Sequence, residues 1–171
     1  MNLQSTDFEL FQVPVRFAQD AALLDTRWKA LQREVHPDRF AAEGAAAQRV
    51  AMQWSARINE AYRRLKDPMR RAAYLCELHG APIDAERNTA MPPEFLVQQM
   101  ELREALDEAH ADAAMDAIDR QLATLRGDML VKLERQLDEQ ADWPAAAASV
   151  RAMMFLDKLA GDIDRKRATL A

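Results

Sequence analysis

Leu24-Asp25-Thr26-Arg27-Trp28-Lys29-Ala30-Leu31-Gln32-Arg33-Glu34-Val35-His36-Pro37-Asp38 carries an apolar stripe that runs straight into a proline corner. Leu24, Trp28, Leu31 and Val35 recur at the spacing of one face of an amphipathic helix, which predicts a helix over 20–35. Pro37 has no backbone N–H and biases His36 out of the helical region. The helix therefore ends there, with an imidazole and a carboxylate displayed together. A second stripe, Val50, Trp54, Ile58, Ala61, Tyr62 and Leu65, predicts a helix over 45–66. An antiparallel pair joined by a loop of about ten residues buries both stripes at once. Asp67-Pro68-Met69-Arg70-Arg71-Ala72-Ala73-Tyr74 punctuates the exit of the pair. The helical piece that follows, over 69–79, ends at Gly80, the usual residue for a left-handed C-cap. Ahead of the pair, Phe8, Leu10 and Phe11 predict a short helix or turn closed by Val13-Pro14.

Outward from this pair the chain stays helical. Residues 80–93 gather the breakers Gly80, Pro82, Asn88, Pro92 and Pro93 and read as a linker. Three more helical patterns follow at 94–109, 113–139 and 144–166, the last opening on Pro144. In the middle one Met115, Ile118, Leu122, Leu125 and Met129 alternate threes and fours, a spacing that favours packing at shallow angles and hence a three-helix bundle. The 171 residues are 49% apolar and 30% charged with only four glycines and seven prolines, so the expected class is all-α. The expected domains are 1–75, an antiparallel helix pair with its His-Pro-Asp loop, and 94–171, a three-helix bundle, joined by 76–93.

Several function classes are excluded by composition. The net charge is −5, which with so few basic side chains on any one face argues against a nucleic-acid reader. The sign is not uniform: residues 1–75 hold 12 basic against 9 acidic side chains, a balance of +3, and residues 76–171 hold 11 against 19, a balance of −8. Such asymmetry points to two surfaces with different partners. The start Met1-Asn2-Leu3-Gln4-Ser5-Thr6-Asp7 lacks a signal-peptide pattern, and no apolar run reaches spanning length, so a cytoplasmic, membrane-free protein is expected. Cys76 and His79 supply only two potential metal ligands, even with His36 and Asp38 nearby in type. No metal site is expected, and Cys76 reads as a small buried residue. No phosphate loop or nucleophile elbow occurs, so no enzyme activity or cofactor is expected.

Around the corner the charges are ordered. Lys29 and Arg33 fall nearly opposite the apolar stripe, Arg27 flanks them, and Arg39 follows the loop, which places a small basic patch around Asp38. A helix, His36-Pro37-Asp38, a second helix, then Asp67-Pro68 with Arg71-Ala72-Ala73-Tyr74 resembles the J-domain of DnaJ-type co-chaperones over roughly residues 5–75. That resemblance implies that His36, Pro37, Asp38, Arg39, Arg33, Lys29 and Arg27 dock on a chaperone ATPase of the seventy-kilodalton heat-shock class and stimulate its ATP hydrolysis. Asp38 is suited to pair with a partner arginine, because a carboxylate accepts two guanidinium bonds. The exposed cations would speed encounter and make binding salt-sensitive.

The helix over 94–109 carries two faces. With Phe95 at 0°, Leu102, Leu106 and Ala109 fall within about 40° of it and form a core stripe. Leu96, Val97 and Met100 fall at about 100°, 200° and 140°, and Glu101, Glu104 and Glu108 at about 240°, 180° and 220°. An apolar trio bordered by acids thus stands across from the core. Either a neighbouring helix covers it or it is a docking site, where burying three side chains contributes about 1.5–3 kcal/mol each before association costs.

Phe95-Leu96-Val97-Gln98-Gln99-Met100-Glu101-Leu102-Arg103-Glu104-Ala105-Leu106-Asp107-Glu108 and Arg151-Ala152-Met153-Met154-Phe155-Leu156-Asp157-Lys158-Leu159 resemble the C-terminal domain of the HscB family, J-domain co-chaperones of iron-sulfur cluster assembly. The whole chain fits that family in length and order. The resemblance implies an IscU-type scaffold as cargo, bound through Leu96, Val97, Met100, Glu101, Glu104, Glu108 and Phe155, and delivered by a monomer to an HscA-type chaperone. Val97 stands where a methionine is common in the family, and Gln98 replaces an acid. Phe155 lies on the edge of its own stripe, where core packing and partner contact are both open. A general DnaJ-like co-chaperone for unfolded clients is the alternative, but its Gly/Phe-rich segment and cysteine repeats are missing.

Overall fold

The computed structural model describes residues 2–171. It forms two compact units, Met1–Leu75 and Cys76–Ala171. Every regular element among the described residues is helical.

In the first unit, α1 (Asp7–Phe11) opens with a capping box: the Thr6 hydroxyl accepts from the Glu9 N–H while the Glu9 carboxylate accepts from the Thr6 N–H. Gln12, at φ 52°, turns the chain out of it. Asp20 caps α2 (Ala21–Val35) by accepting from the N–H groups of Ala22 and Leu23. A 3-10 turn, Pro37–Glu43, then leads to α3 (Ala45–Lys66) through Gly44, whose φ of 97° suits glycine.

The core of this unit is Phe8, Phe11, Leu24, Ile58, Ala61 and Leu65 with Tyr74 and Leu75 from α4 (Pro68–Leu78). Tyr62 stacks on Trp28 at 5.0 Å between ring centroids and on Phe11 at 6.5 Å, joining the three helices. Asp7 is fully buried, and its carboxylate meets Arg57 at 2.7 Å and Arg64 at 3.3 Å. Its N–H donates to the Tyr74 hydroxyl, so one residue ties α1 to both α3 and α4. The α3 stripe departs from expectation at Val50, which is exposed. Measured from Ile58, Val50 falls about 80° off the stripe, whereas Ala51 falls about 20° off and is the residue buried there.

Gly80, at φ 78°, ends α4, its N–H donating to the Glu77 carbonyl and that of Ala81 to Cys76. Beyond the 81–92 segment, α5 (Pro93–Glu108), α6 (Asp112–Glu134) and α7 (Trp143–Leu170) pack pairwise as a three-helix bundle. The helical pattern over 113–139 ends differently than expected: after Glu134 the last turn, Arg135–Glu139, widens to π geometry. That turn keeps Leu133 and Leu137 in the core and aims the buried Gln136 amide oxygen at the Ser149 hydroxyl, 2.9 Å away.

Residues on every side of the first half of α7 are buried, Ala146, Ala147, Ser149, Val150, Arg151, Ala152 and Met153 among them. The Arg151 guanidinium donates to the carbonyls of Ile83 at 2.8 Å, Ala90 at 3.0 Å and Pro82 at 3.4 Å. A buried cation satisfied by backbone thereby holds the 81–92 segment on the bundle.

Candidate functional site

The proline corner is open to solvent. His36, Asp38 and Arg39 are exposed, and the ring Nδ1 of His36 accepts from the Asp38 N–H at 3.3 Å. That arrangement leaves the proton of a neutral imidazole on Nε2, where it can be donated to a partner. The Asp38 carboxylate stands 3.6 Å from Nδ1 and is 92% exposed, so its oxygens are free for an arriving guanidinium. Arg39 Nη1 donates to the carbonyl of Arg33 at 3.0 Å and so satisfies one of the orphan groups at the end of α2. Gln32, Arg33, His36 and Arg39 line a shallow concavity beside the corner. Both ends of the Gln32 amide are bonded to α3, at Ser55 and Asn59, so Gln32 borders this concavity without offering it a polar group; its place one turn before His36 is the only signal the sequence gives of it.

Lys29 and Arg33 face solvent on α2, but Arg27 does not join them. It lies on the other flank of the helix, about 160° from Lys29, half-buried against α1 beside a cavity lined also by Glu9, Phe11, Leu31 and Glu34. The open basic face therefore consists of Lys29, Arg33 and Arg39.

On α5, Phe95, Leu102, Leu106 and Ala109 are all buried. Leu96, Val97 and Met100 are 52%, 59% and 73% exposed, and Glu101, Glu104 and Glu108 are exposed around them. No other helix of the second unit covers the trio. Contiguous apolar exposure of this kind, rimmed by polar groups, marks interaction sites. Lys132 on α6 donates to Glu94 at 2.8 Å, which fixes the start of α5 and holds the Glu94 carboxyl below its usual value.

Phe155 is only 9% exposed. Its ring meets Phe95 edge-on at 5.8 Å, and the Arg103 guanidinium lies over it at 5.1 Å. Of the two roles open to it from sequence, Phe155 packs as part of the wall behind the open surface, because its position on α7 points toward α5. Arg103, three residues after Met100, is instead the outward group at that place, and with Gln99, Met100, Glu104, Asp107 and Glu108 it lines a shallow concavity.

Neither surface offers a metal site. Among the described residues no three His, Cys, Asp or Glu side chains converge as ligands. Cys76 is buried beneath Trp143, where burial pushes its thiol up to about 11, and the His79 ring stacks on Trp143. No helix among the described residues is long and apolar enough to cross a membrane.

A co-chaperone protein HscB homolog from Burkholderia multivorans is 50% identical over 166 residues, 95% of this chain and 94% of its own. The chain belongs to the HscB co-chaperone family. A family model described as the HSCB C-terminal oligomerisation domain matches residues 91–164, which include the whole of α5 and α6. Two solved HscB structures share the fold: chaperone HscB from Vibrio cholerae, 38% identical with a TM-score of 0.79 over 98% of this chain and 100% of that one, and human co-chaperone protein HscB, 29% identical with a TM-score of 0.85 over 98% and 84%. The HscB architecture, an N-terminal J-domain followed by a C-terminal helical bundle, is therefore the architecture of this chain.

Proposed function

We propose that this HscB-family co-chaperone serves iron-sulfur cluster assembly by holding an IscU-type scaffold on its C-terminal bundle and presenting it to an HscA-type chaperone, whose ATPase the J-domain stimulates. The chain itself is the regulator and the partner carries the chemistry. Residues 1–75 engage the ATPase through His36, Pro37, Asp38, Arg39, Arg33 and Lys29. Residues 94–171 engage the scaffold through Leu96, Val97, Met100, Glu101, Glu104 and Glu108, with Phe155 supporting that face from behind, and residues 76–93 connect the two. The protein acts as a monomer in the cytoplasm.

The observation that carries this reading is the exposure of an apolar trio inside an acidic rim on a helix whose other face is fully packed. A solvated helix back has no use for Leu96, Val97 and Met100, and hiding them on a partner returns the cost of exposing them. The basic, proline-bent corner supports the second half of the reading, since its cations and the free Asp38 carboxylate suit an electrostatically steered encounter.

The test measures ATP hydrolysis by a purified HscA-type chaperone with the co-chaperone alone, with an IscU-type scaffold, and with an unfolded client in its place. Synergy with the scaffold and none with the unfolded client is expected. Equal synergy with both would replace this reading with that of a general DnaJ-like co-chaperone.

A further inference from the structure

Along one edge of the seam between α2 and α3 the apolar stripes give way to a ladder of polar contacts. At the end remote from the proline corner, Lys66 and the Tyr62 hydroxyl both donate to Asp25 Oδ1, the latter at 2.6 Å. One turn nearer, the Trp28 indole N–H donates to Asn59 Oδ1 at 2.9 Å. One turn nearer again, the Gln32 amide uses both of its ends. Its nitrogen donates to Asn59 Oδ1 at 2.8 Å and to the Ser55 carbonyl at 3.3 Å, and its oxygen accepts from the Ser55 hydroxyl at 2.9 Å.

Past that rung, burial contributes little. No residue from His36 to Gly44 is buried, Val35 is the one buried residue in the last turn of α2, and Ala51 is the one buried residue in the first two turns of α3. The 37–43 turn lies against α3, and the Arg39 bond to the Arg33 carbonyl ties it back to α2, so the set of His36 at the junction depends on how the end of α2 is held on α3. Where apolar packing is thin, the direction of a helix end depends on the directional bonds it makes.

We infer that Gln32 is a positioning residue for the His36-Pro37-Asp38 corner: by bridging Ser55 and Asn59 it holds the last turn of α2 on α3, so that His36 and Asp38 reach a partner already ordered. Loss of the bridge frees the corner, and docking then has to order it, which weakens the encounter without removing any group that touches the partner. The consequence for ATPase stimulation rests on the function proposed above; the consequence for the corner's order does not.

The test compares Gln32→Leu, which keeps the bulk of the side chain and removes its hydrogen bonds, with Asp25→Ala, which cuts the same seam two turns away. Amide hydrogen exchange of residues 37–43 in the full chain should accelerate in Gln32→Leu and stay unchanged in Asp25→Ala. The concentration for half-maximal stimulation of the chaperone should rise roughly three- to tenfold in Gln32→Leu, the size expected from one lost ordering contact, with the maximal rate retained. Gln32→Leu together with Asn59→Leu should add less than the two changes made singly, because both break one bridge. Unchanged exchange in Gln32→Leu, or equal acceleration in Asp25→Ala, overturns the inference. Accelerated exchange with no stimulation by the unmodified protein would leave Gln32 as a positioning residue and remove the proposed function instead.

Discussion

Met100 and Leu102, two positions apart on α5, are 73% and 0% exposed. One helix turns an apolar side chain to solvent and the next but one into the bundle, and nothing in the unit folds over the first. Substitutions at the two should therefore separate binding from stability. Leu96→Ala with Met100→Ala is expected to weaken scaffold binding by at least tenfold while changing bundle stability by no more than about 1 kcal/mol, and Leu102→Ala to cost about 2–5 kcal/mol. Calorimetric titration with the scaffold and urea unfolding check both. Melting of the bundle in the double variant would mean that the trio is core.

At the proline corner, His36→Gln should abolish stimulation of the chaperone ATPase and leave the circular dichroism spectrum and melting temperature as they were, because the ring is exposed and makes no core contact. Normal stimulation by that variant would remove the J-domain assignment of function.

Arg151 offers a test of what holds the 81–92 segment. Arg151→Met keeps the stem and deletes the donors, which strands the carbonyl of the buried Ile83 and leaves that of the exposed Ala90 to water. The expected cost is about 1–3 kcal/mol, read from the urea midpoint, since an unmet buried acceptor bears its full desolvation penalty. A change of a few tenths would show that water replaces the guanidinium there.

Asp25 and Lys66 give the helix pair a pH dependence. The bonds from Lys66 and Tyr62 hold the Asp25 carboxyl below 3.8, and the same carboxylate raises Lys66 above 10.5. For Asp25 the folded state binds fewer protons than the unfolded one, so its contribution is present above about pH 4 and fades as pH falls through the folded value. For Lys66 the sign is reversed: the contribution is whole below about pH 10.5 and is lost as pH rises through the folded value. Asp25→Asn should thus lower the melting temperature at pH 7 and lower it by less at pH 2. An equal effect at both would assign the loss to packing.

Burial of Cys76 makes a sharper case. The folded thiol ionises at about 11 against 9.0 when free, so it keeps its proton longer than in the unfolded chain, and stability should decline as pH rises from 9 toward 11. At pH 8 a thiol reagent should react at least about a hundredfold more slowly with the native protein than with the protein in urea. Equal rates would show an open thiol.

Most of the helices were legible because their cause is local. The four-three-four stripe from Leu24 to Val35, the stop at Pro37, the cap at Gly80 and the core face Phe95, Leu102, Leu106 and Ala109 all follow from backbone geometry and periodicity, which neighbours reinforce and do not create. The two-faced character of α5 was legible for the same reason. Whether the second face stayed open was not, since a helical period says which residues share a side and nothing about what comes to lie against it.

By itself, then, the sequence determined where this chain is helical, where it breaks, and which side chains travel together on each face. Only the tertiary structure decided that Leu96, Val97 and Met100 meet solvent, that Phe155 stands behind them, that Arg27 turns to α1, and that Gln32 and Arg151 find their partners across 23 and 68 positions of chain. Those outcomes depend on contacts between residues distant in sequence, whose free energy exists only once the helices have packed.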